Sequence, residues 1–82
     1  MDEVKEYATF LIKGLVKNSD IVTVEEFESD EDSVILEVIV SEEDMGSLIG
    51  KGGYMIKAVK TLIVAAAYKK GIHKVKINID SV

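Results

Sequence analysis

The 82-residue sequence has no cysteine, no proline and only one histidine, His73. The lack of cysteine excludes disulfides and thiolate metal ligands, and it favours an intracellular compartment. A lone histidine has no partner with which to form a metal site or a nucleophile–base pair, so we expect no catalytic residue, no metal and no cofactor. Because proline-rich and low-complexity segments are also missing, no linker is evident and we expect one domain over residues 1–82.

Long apolar segments are absent as well. The longest uninterrupted apolar run, Leu62–Tyr68, has seven residues, whereas a membrane-spanning helix needs about 20. The acidic start of the chain, Met1–Glu6, does not resemble the basic segment and apolar run of a signal peptide. We therefore expect a soluble, cytoplasmic protein without a membrane partner.

Negative and positive charges are concentrated in different halves of the chain. The net charge of −5 argues at first against a nucleic-acid partner. However, three lysines against fourteen acids give residues 1–45 a charge of −11, whereas seven lysines against one acid give residues 46–82 a charge of +6. The split predicts one face that repels polyanions and one that attracts them, with an ordinary mixed surface as the alternative.

Hydrophobic periodicity predicts six elements in the order α-β-β-α-α-β. The predicted helices cover residues 2–17, 41–48 and 54–70, and the predicted strands cover 21–28, 33–40 and 74–80. The first two strands are close enough in sequence to form a hairpin, and Ser41–Asp44 is typical of the acidic start of a helix. Three strands are too few to close a barrel. We therefore expect an α+β two-layer sandwich, a three-stranded sheet with three helices on one face.

Three glycines in four residues, Gly50-Lys51-Gly52-Gly53, separate the second and third predicted helices. Glycines permit positive φ angles and leave the backbone accessible, the following helix presents the positive end of its dipole, and Lys51 adds a charge. These properties suit a phosphate group. The spacing fits neither a Walker A loop nor the G-x-G-x-x-G dinucleotide fingerprint. An ordinary tight turn between helices is the alternative.

The glycine segment lies within a longer pattern, I-G-x-x-G-x-x-I at residues 49–56. It follows the short helix that begins at Ser41 and continues into the long helix through Lys57–Ala67. With the α-β-β-α-α-β order, this pattern resembles a type II KH domain, and more closely the bacterial KhpA-type RNA-binding proteins, over essentially the whole chain. The resemblance implies a single KH domain over 1–82 that is not an enzyme and acts as an RNA chaperone or post-transcriptional regulator.

The resemblance also implies a binding site for single-stranded RNA, because KH domains clamp about four nucleotides with their GXXG loop. The implied RNA-binding residues are Ile49, Gly50, Lys51, Gly52, Gly53, Tyr54, Ile56, Lys57 and Lys60. The loop residues would hold the sugar-phosphate backbone, the two isoleucines would form an apolar floor for the bases, and the two helix lysines would supplement the phosphate contacts.

Tyr54 departs from the family pattern, since KhpA-like sequences commonly have arginine just after the second loop glycine. A tyrosine makes no charged contact, but it can stack on a base or hydrogen-bond a ribose or phosphate. The alternative is an aromatic side chain that only packs on its own helix. We expect the substitution to lower the affinity more than it changes the binding mode.

The third predicted helix carries more apolar residues than its core-facing stripe requires, and such a surplus often marks an interface. KhpA-type proteins are associated with self-dimerisation and with pairing to the larger KH protein KhpB, also called Jag or EloR. The resemblance therefore implies a homodimer or such a heterodimer, with Thr61, Val64, Ala65 and Tyr68 at the interface. The alternative is that these residues lie under the sheet. A KH fold kept only for protein interaction, without RNA binding, is the rival function.

Overall fold

The computed structural model describes residues 2–30 and 32–82 of the chain. Its helices are α1 (Asp2–Lys13), α2 (Glu42–Ile49) and α3 (Tyr54–Lys69), and its strands are β1 (Thr23–Asp30), β2 (Ser33–Val40) and β3 (Lys74–Ser81). Two short 3-10 turns, Ser19–Ile21 and Lys51–Gly53, lie between these elements. The predicted α+β class and the order α-β-β-α-α-β are confirmed.

The sheet has β2 at its centre, paired on one side with β1 and on the other with β3. β1 runs antiparallel to β2, with Phe27 opposite Ile35, and β3 runs parallel to β2, with Ile77 beside Leu36. Parallel neighbours require a crossover connection, and the α2–α3 pair provides it. The glycine segment Gly50–Gly53 therefore lies in the middle of this crossover, where the chain turns from one helix into the next.

The core lies between the helices and one face of the sheet. Alternate residues of β2 are buried, as expected for a strand with one covered face. The helices meet this face with residues at helical spacing. The buried core residues are Val34, Leu36, Val38 and Val40 of β2, Val4, Ala8 and Ile12 of α1, Leu48 of α2, and Val59, Ile63 and Ala67 of α3, with Val22, Val24, Ile72 and Ile77 around them.

The first helix is shorter than predicted, because α1 ends at Lys13 and not at Lys17. Gly14 follows directly, and glycine costs about 1 kcal/mol relative to alanine inside a helix. The N–H groups of Lys17 and Asn18 donate to the carboxylate of Asp44, over 3.1 and 2.9 Å. The chain thus leaves the helical path to make hydrogen bonds with α2.

Within residues 2–30 and 32–82, no helix combines the length and the apolar character that crossing a bilayer would require.

Candidate nucleic-acid interface

A buried carboxylate holds the N-terminal end of α2. Asp44 lies in the first turn of α2 and is only 2% exposed. Besides the two backbone N–H groups of Lys17 and Asn18, the side-chain amide of Asn18 donates to it over 3.1 Å. These hydrogen bonds, above all the one from the Asn18 N–H, hold the pKa of Asp44 below its ordinary value. The network ties α2 to the segment that follows α1.

Ser41, predicted as the first residue of this helix, occupies the N-cap position of α2, but its side chain makes no capping hydrogen bond. Its hydroxyl instead accepts from the Asn18 side-chain amide over 3.3 Å. The Ser41 carbonyl accepts from the Asp44 N–H over 2.9 Å. The Asn18 side-chain amide also donates to the carboxylate of Glu43 over 3.4 Å, so Asn18 connects the post-α1 segment to three residues at the start of α2.

The C-terminal end of α2 is shaped by glycine. The Gly50 N–H donates to the Gly46 carbonyl over 3.0 Å. Gly50, Gly52 and Gly53 then adopt φ angles of 74°, 63° and 79°, positive values that glycine adopts without the strain that other residues incur. Lys51 is the one residue of the segment without a positive φ. It is therefore the position at which the loop accommodates a side chain most easily.

Close packing against Met55 is a second reason why position 50 requires glycine. A Cβ atom built on it would lie 2.7 Å from the Cβ of Met55, closer than two carbon atoms can approach. At Gly52 such an atom would lie 3.7 Å from the Tyr54 ring, an ordinary contact, and at Gly53 it would meet nothing within 4 Å. The loop backbone therefore packs closely on the start of α3 at Gly50 and is accessible at its two later glycines.

The loop surroundings are positively charged. Lys51 is exposed at the loop, and Lys57 and Lys60 are exposed on the first half of α3. The acids Glu42 and Glu43 lie at the far end of α2, about 10 Å away at 1.5 Å per residue, which is roughly one Debye length at physiological salt. The N-terminal end of α3 adds its partial positive charge. An anion at the loop is therefore closer to Lys51 than to Glu42 and Glu43.

The two isoleucines predicted to form the apolar floor for the bases, Ile49 and Ile56, differ in their exposure to solvent. Ile49, the last residue of α2, is 39% exposed, so it offers apolar surface beside the loop. Ile56, in the first turn of α3, is half-buried and packs against the core, so it offers less. Met55 is 40% exposed and lies against Gly50. Met55 is not among the RNA-binding residues predicted from the sequence, although its position inside the I-G-x-x-G-x-x-I pattern indicated that it lies close to the loop.

Tyr54 is the first residue of α3 and is 78% exposed. Its N–H donates to the Lys51 carbonyl, which ties the start of α3 to the loop. Its ring lies next to Gly52, since a Cβ atom there would be 3.7 Å from Cε2 and 3.8 Å from Cδ2 of the ring. The ring is therefore beside the loop and outside the core.

The residues predicted for a protein interface extend from the middle of α3 into its second half. Thr61 and Ala65 are exposed, Val64 is 40% exposed and Tyr68 is 64% exposed. The alternative that these residues lie under the sheet is wrong. The Tyr68 ring packs on the His73 ring, with centroids 4.7 Å apart.

A cleft of about 300 Å³ lies between α1 and α3 beside this surface. Its lining residues are Tyr7, Leu62, Ala65, Ala66 and Lys69.

The two candidate surfaces are both on α3. Tyr54 and Tyr68 are fourteen residues apart, about 21 Å along the helix. The two surfaces nonetheless adjoin at the middle of the helix, where Lys60 of the loop surroundings is followed by Thr61. Among the residues that the structure describes, no group of His, Cys, Asp or Glu could hold a metal ion.

A family model and individual similar proteins point to the same family. The model of the family described as KhpA/KhpB, KH domain, matches residues 5–79. A Clostridium perfringens protein named RNA-binding protein KhpA is 46% identical over 66 residues, which are 80% of this chain and 87% of the relative. A Chlamydia trachomatis protein of the same name is 35% identical over 75 residues, 92% of this chain and 94% of the relative. No solved structure matches significantly. The chain belongs to the KhpA/KhpB KH-domain family and has its type II KH fold.

Proposed function

We propose that the chain binds single-stranded RNA through Gly50–Gly53 and the surface around this loop. The observation that carries the proposal is the loop geometry, in which three glycines at positive φ surround one exposed lysine at a helix–helix junction. Such a loop lets a sugar-phosphate backbone approach the protein backbone closely. The similar proteins of Clostridium perfringens and Chlamydia trachomatis are named RNA-binding proteins, which supports RNA as the ligand.

In the proposed mode, the loop positions the RNA backbone and the flanking side chains contact the bases. Lys51 neutralises the phosphate next to the loop, and Lys57 and Lys60 contact neighbouring phosphates. The partly exposed Ile49 and Met55 provide apolar surface for unpaired bases. Because the proposed site uses three lysines and the whole chain carries a charge of −5, we expect modest affinity and modest sequence preference.

The chain is a binding protein and not an enzyme, in agreement with its family. We propose that residues 1–82 act as a single KH domain in the cytoplasm. Its role there would be that of an RNA chaperone or post-transcriptional regulator. A module with an accessible loop and little sequence preference can capture short unpaired segments of many transcripts.

Salt dependence tests the proposed RNA binding. Each phosphate contact on a single strand releases counterions and contributes about −0.7 to the slope of log K against log salt. Three lysine contacts give a slope of about −2. The measurement is fluorescence anisotropy of a labelled, unstructured oligoribonucleotide over a range of salt concentrations. No binding at low salt would contradict the proposal and would favour a KH fold kept for protein interaction.

We further propose that the second half of α3 binds a protein partner. Either a second copy of this chain or a KhpB-type (Jag or EloR) KH protein would occupy it. The exposed Val64 and Tyr68 and the adjacent apolar cleft support this surface, because apolar patches on small domains commonly mark interfaces.

Val64→Lys should shift the sedimentation of the protein toward the monomer, since a charge at the centre of the patch has no partner when buried. Val82→Lys, at an exposed valine outside α3, is the matched control and should change nothing. If the wild type is monomeric at high concentration, the homodimer is wrong. Co-sedimentation with a KhpB-type protein then decides whether the heterodimer is formed.

A further inference from the structure

Tyr54 is the most exposed large apolar or aromatic side chain in the described part of the chain, at 78%. It is also the aromatic residue closest in sequence to the loop. We propose that Tyr54 is a stacking platform for one nucleobase of the bound RNA, the base attached to the nucleotide whose phosphate the loop holds. This inference rests on the proposed RNA binding and names the contact that a base makes at that site.

The backbone places the ring where such a base would lie. Side chains of a helix tilt toward its N-terminus, so the side chain of the first residue of α3 leans over the loop. Gly52 has no side chain, and the Tyr54 ring lies within ordinary contact distance of the position that a Cβ atom would occupy there. The ring edge is therefore next to the loop backbone, while its high exposure leaves ring surface accessible to a base.

The other two tyrosines do not offer this arrangement. The ring of Tyr68 already packs on His73, with centroids 4.7 Å apart and planes at 51°. Tyr7 is half-buried and lines the cleft between α1 and α3. Among the described residues, Tyr54 has no ring contact of this kind, so its ring is the tyrosine ring available for stacking.

Stacking also suits the charge of this chain. Attraction between lysines and phosphates is weakened by salt and is opposed by the fourteen acids of residues 1–45. Stacking of a base on an aromatic ring is not an ionic interaction and is tolerant of sequence, because every base has a π face. Tyr54 therefore supplies a part of the affinity that salt does not remove, which a lysine at this position would not.

A tryptophan reporter tests the inference directly. The chain has no tryptophan, so Tyr54→Trp introduces the only indole, and Phe10→Trp provides a matched control on α1, where Phe10 is 74% exposed. We expect the Tyr54→Trp fluorescence to be quenched by an unstructured oligoribonucleotide and much less by an abasic ribose-phosphate chain of the same length. The Phe10→Trp fluorescence should not respond to either.

The affinity should change in parallel. Tyr54→Ala should weaken RNA binding roughly tenfold without changing the slope of log K against log salt, and Tyr54→Phe should stay within about twofold of wild type. Circular dichroism of Tyr54→Ala should remain native, because the side chain lies outside the core.

Two results would overturn the inference and they differ from each other. If RNA binds but Tyr54→Trp is not quenched and Tyr54→Ala binds as tightly as wild type, stacking is wrong while the proposed RNA binding stands. If no protein, wild type included, binds RNA at low salt, the proposed function is wrong and the stacking contact is wrong with it.

Discussion

The two ends of α2 are built in opposite ways. At the N-terminal end, a buried carboxylate on Asp44 accepts hydrogen bonds from two residues that follow α1. At the C-terminal end, Gly50–Gly53 carries one side chain, that of Lys51, and two of its glycines have room around their Cα atoms. A fixed end and an accessible end are thus separated by only about 10 Å of helix.

This difference indicates that the two ends of α2 have different roles, one in the stability of the fold and the other in ligand binding. The Asp44 network and the buried Leu48 hold α2 against the rest of the fold, so the loop that follows is presented in one position. Binding to a preorganised loop costs less conformational entropy than binding to a mobile one. Substitutions at the first end should therefore affect stability, and those at the accessible part of the second end should affect ligand binding.

Gly50 should give the largest effect, because it is the part of the loop that packs on α3. Gly50→Ala places a Cβ atom 2.7 Å from that of Met55 at a φ of 74°, and the positive φ alone costs about 1–2 kcal/mol. With the steric clash we expect a loss of roughly 3 kcal/mol in the free energy of unfolding, measured by urea denaturation. Gly53→Ala, which meets nothing within 4 Å, is the control and should lose only about 1 kcal/mol. Equal losses would show that the close packing at Gly50 is not important.

Asp44 should give the next largest effect, and the effect should depend on pH. Asp44→Asn replaces one acceptor oxygen with an amide donor that faces the N–H of either Lys17 or Asn18, so we expect the Tm to fall by roughly 5 °C at neutral pH. Because the folded-state pKa of Asp44 is lowered, its ionisation stabilises the fold above the unfolded value of about 3.9, and this stabilisation is lost as the pH falls through the folded pKa. The difference in Tm between wild type and Asp44→Asn should therefore shrink in acid.

Two control variants make the Asp44 experiment specific. The pKa of Glu3 is also lowered, by a hydrogen bond from Lys70 and by the positive charge of Lys70. Glu3→Gln therefore measures the contribution of Glu3 to the loss of stability in acid. Glu42→Gln replaces an exposed acid of the same helix turn and should barely change the Tm. A Tm difference for Asp44→Asn that stays constant from neutral pH into strong acid would contradict the linkage.

The sequence was sufficient for the order of the elements and the position of the loop. These depend on local periodicity and on glycine, which the sequence displays directly. The end of α1 was predicted four residues too late, because Leu15 and Val16 continue the apolar pattern and still pack against the core without being helical. Hydrophobic pattern predicts burial, and it does not by itself determine the backbone conformation.

The Asp44 network could not be predicted for a different reason. In sequence, Asp44 looks like an ordinary acid in the first turn of a helix, and its partner Asn18 is 26 residues away. No local pattern links a carboxylate to distant backbone N–H groups, because the link depends on how α1 and α2 pack. The exposure of Ile49 compared with the partial burial of Ile56 likewise became clear only from the packing of α3.

The most direct test compares two matched double variants. Lys51→Asp with Gly52→Asp changes the loop, and Lys74→Asp with Gly71→Asp makes the same charge change beyond the other end of α3, where Gly71 has a φ of 84° and meets nothing within 4 Å. Both should keep a native circular dichroism spectrum. We predict that the loop variant loses binding to a short unstructured RNA at low salt while the control variant retains most of it. Equal RNA affinity of the loop variant and wild type would contradict the proposed site.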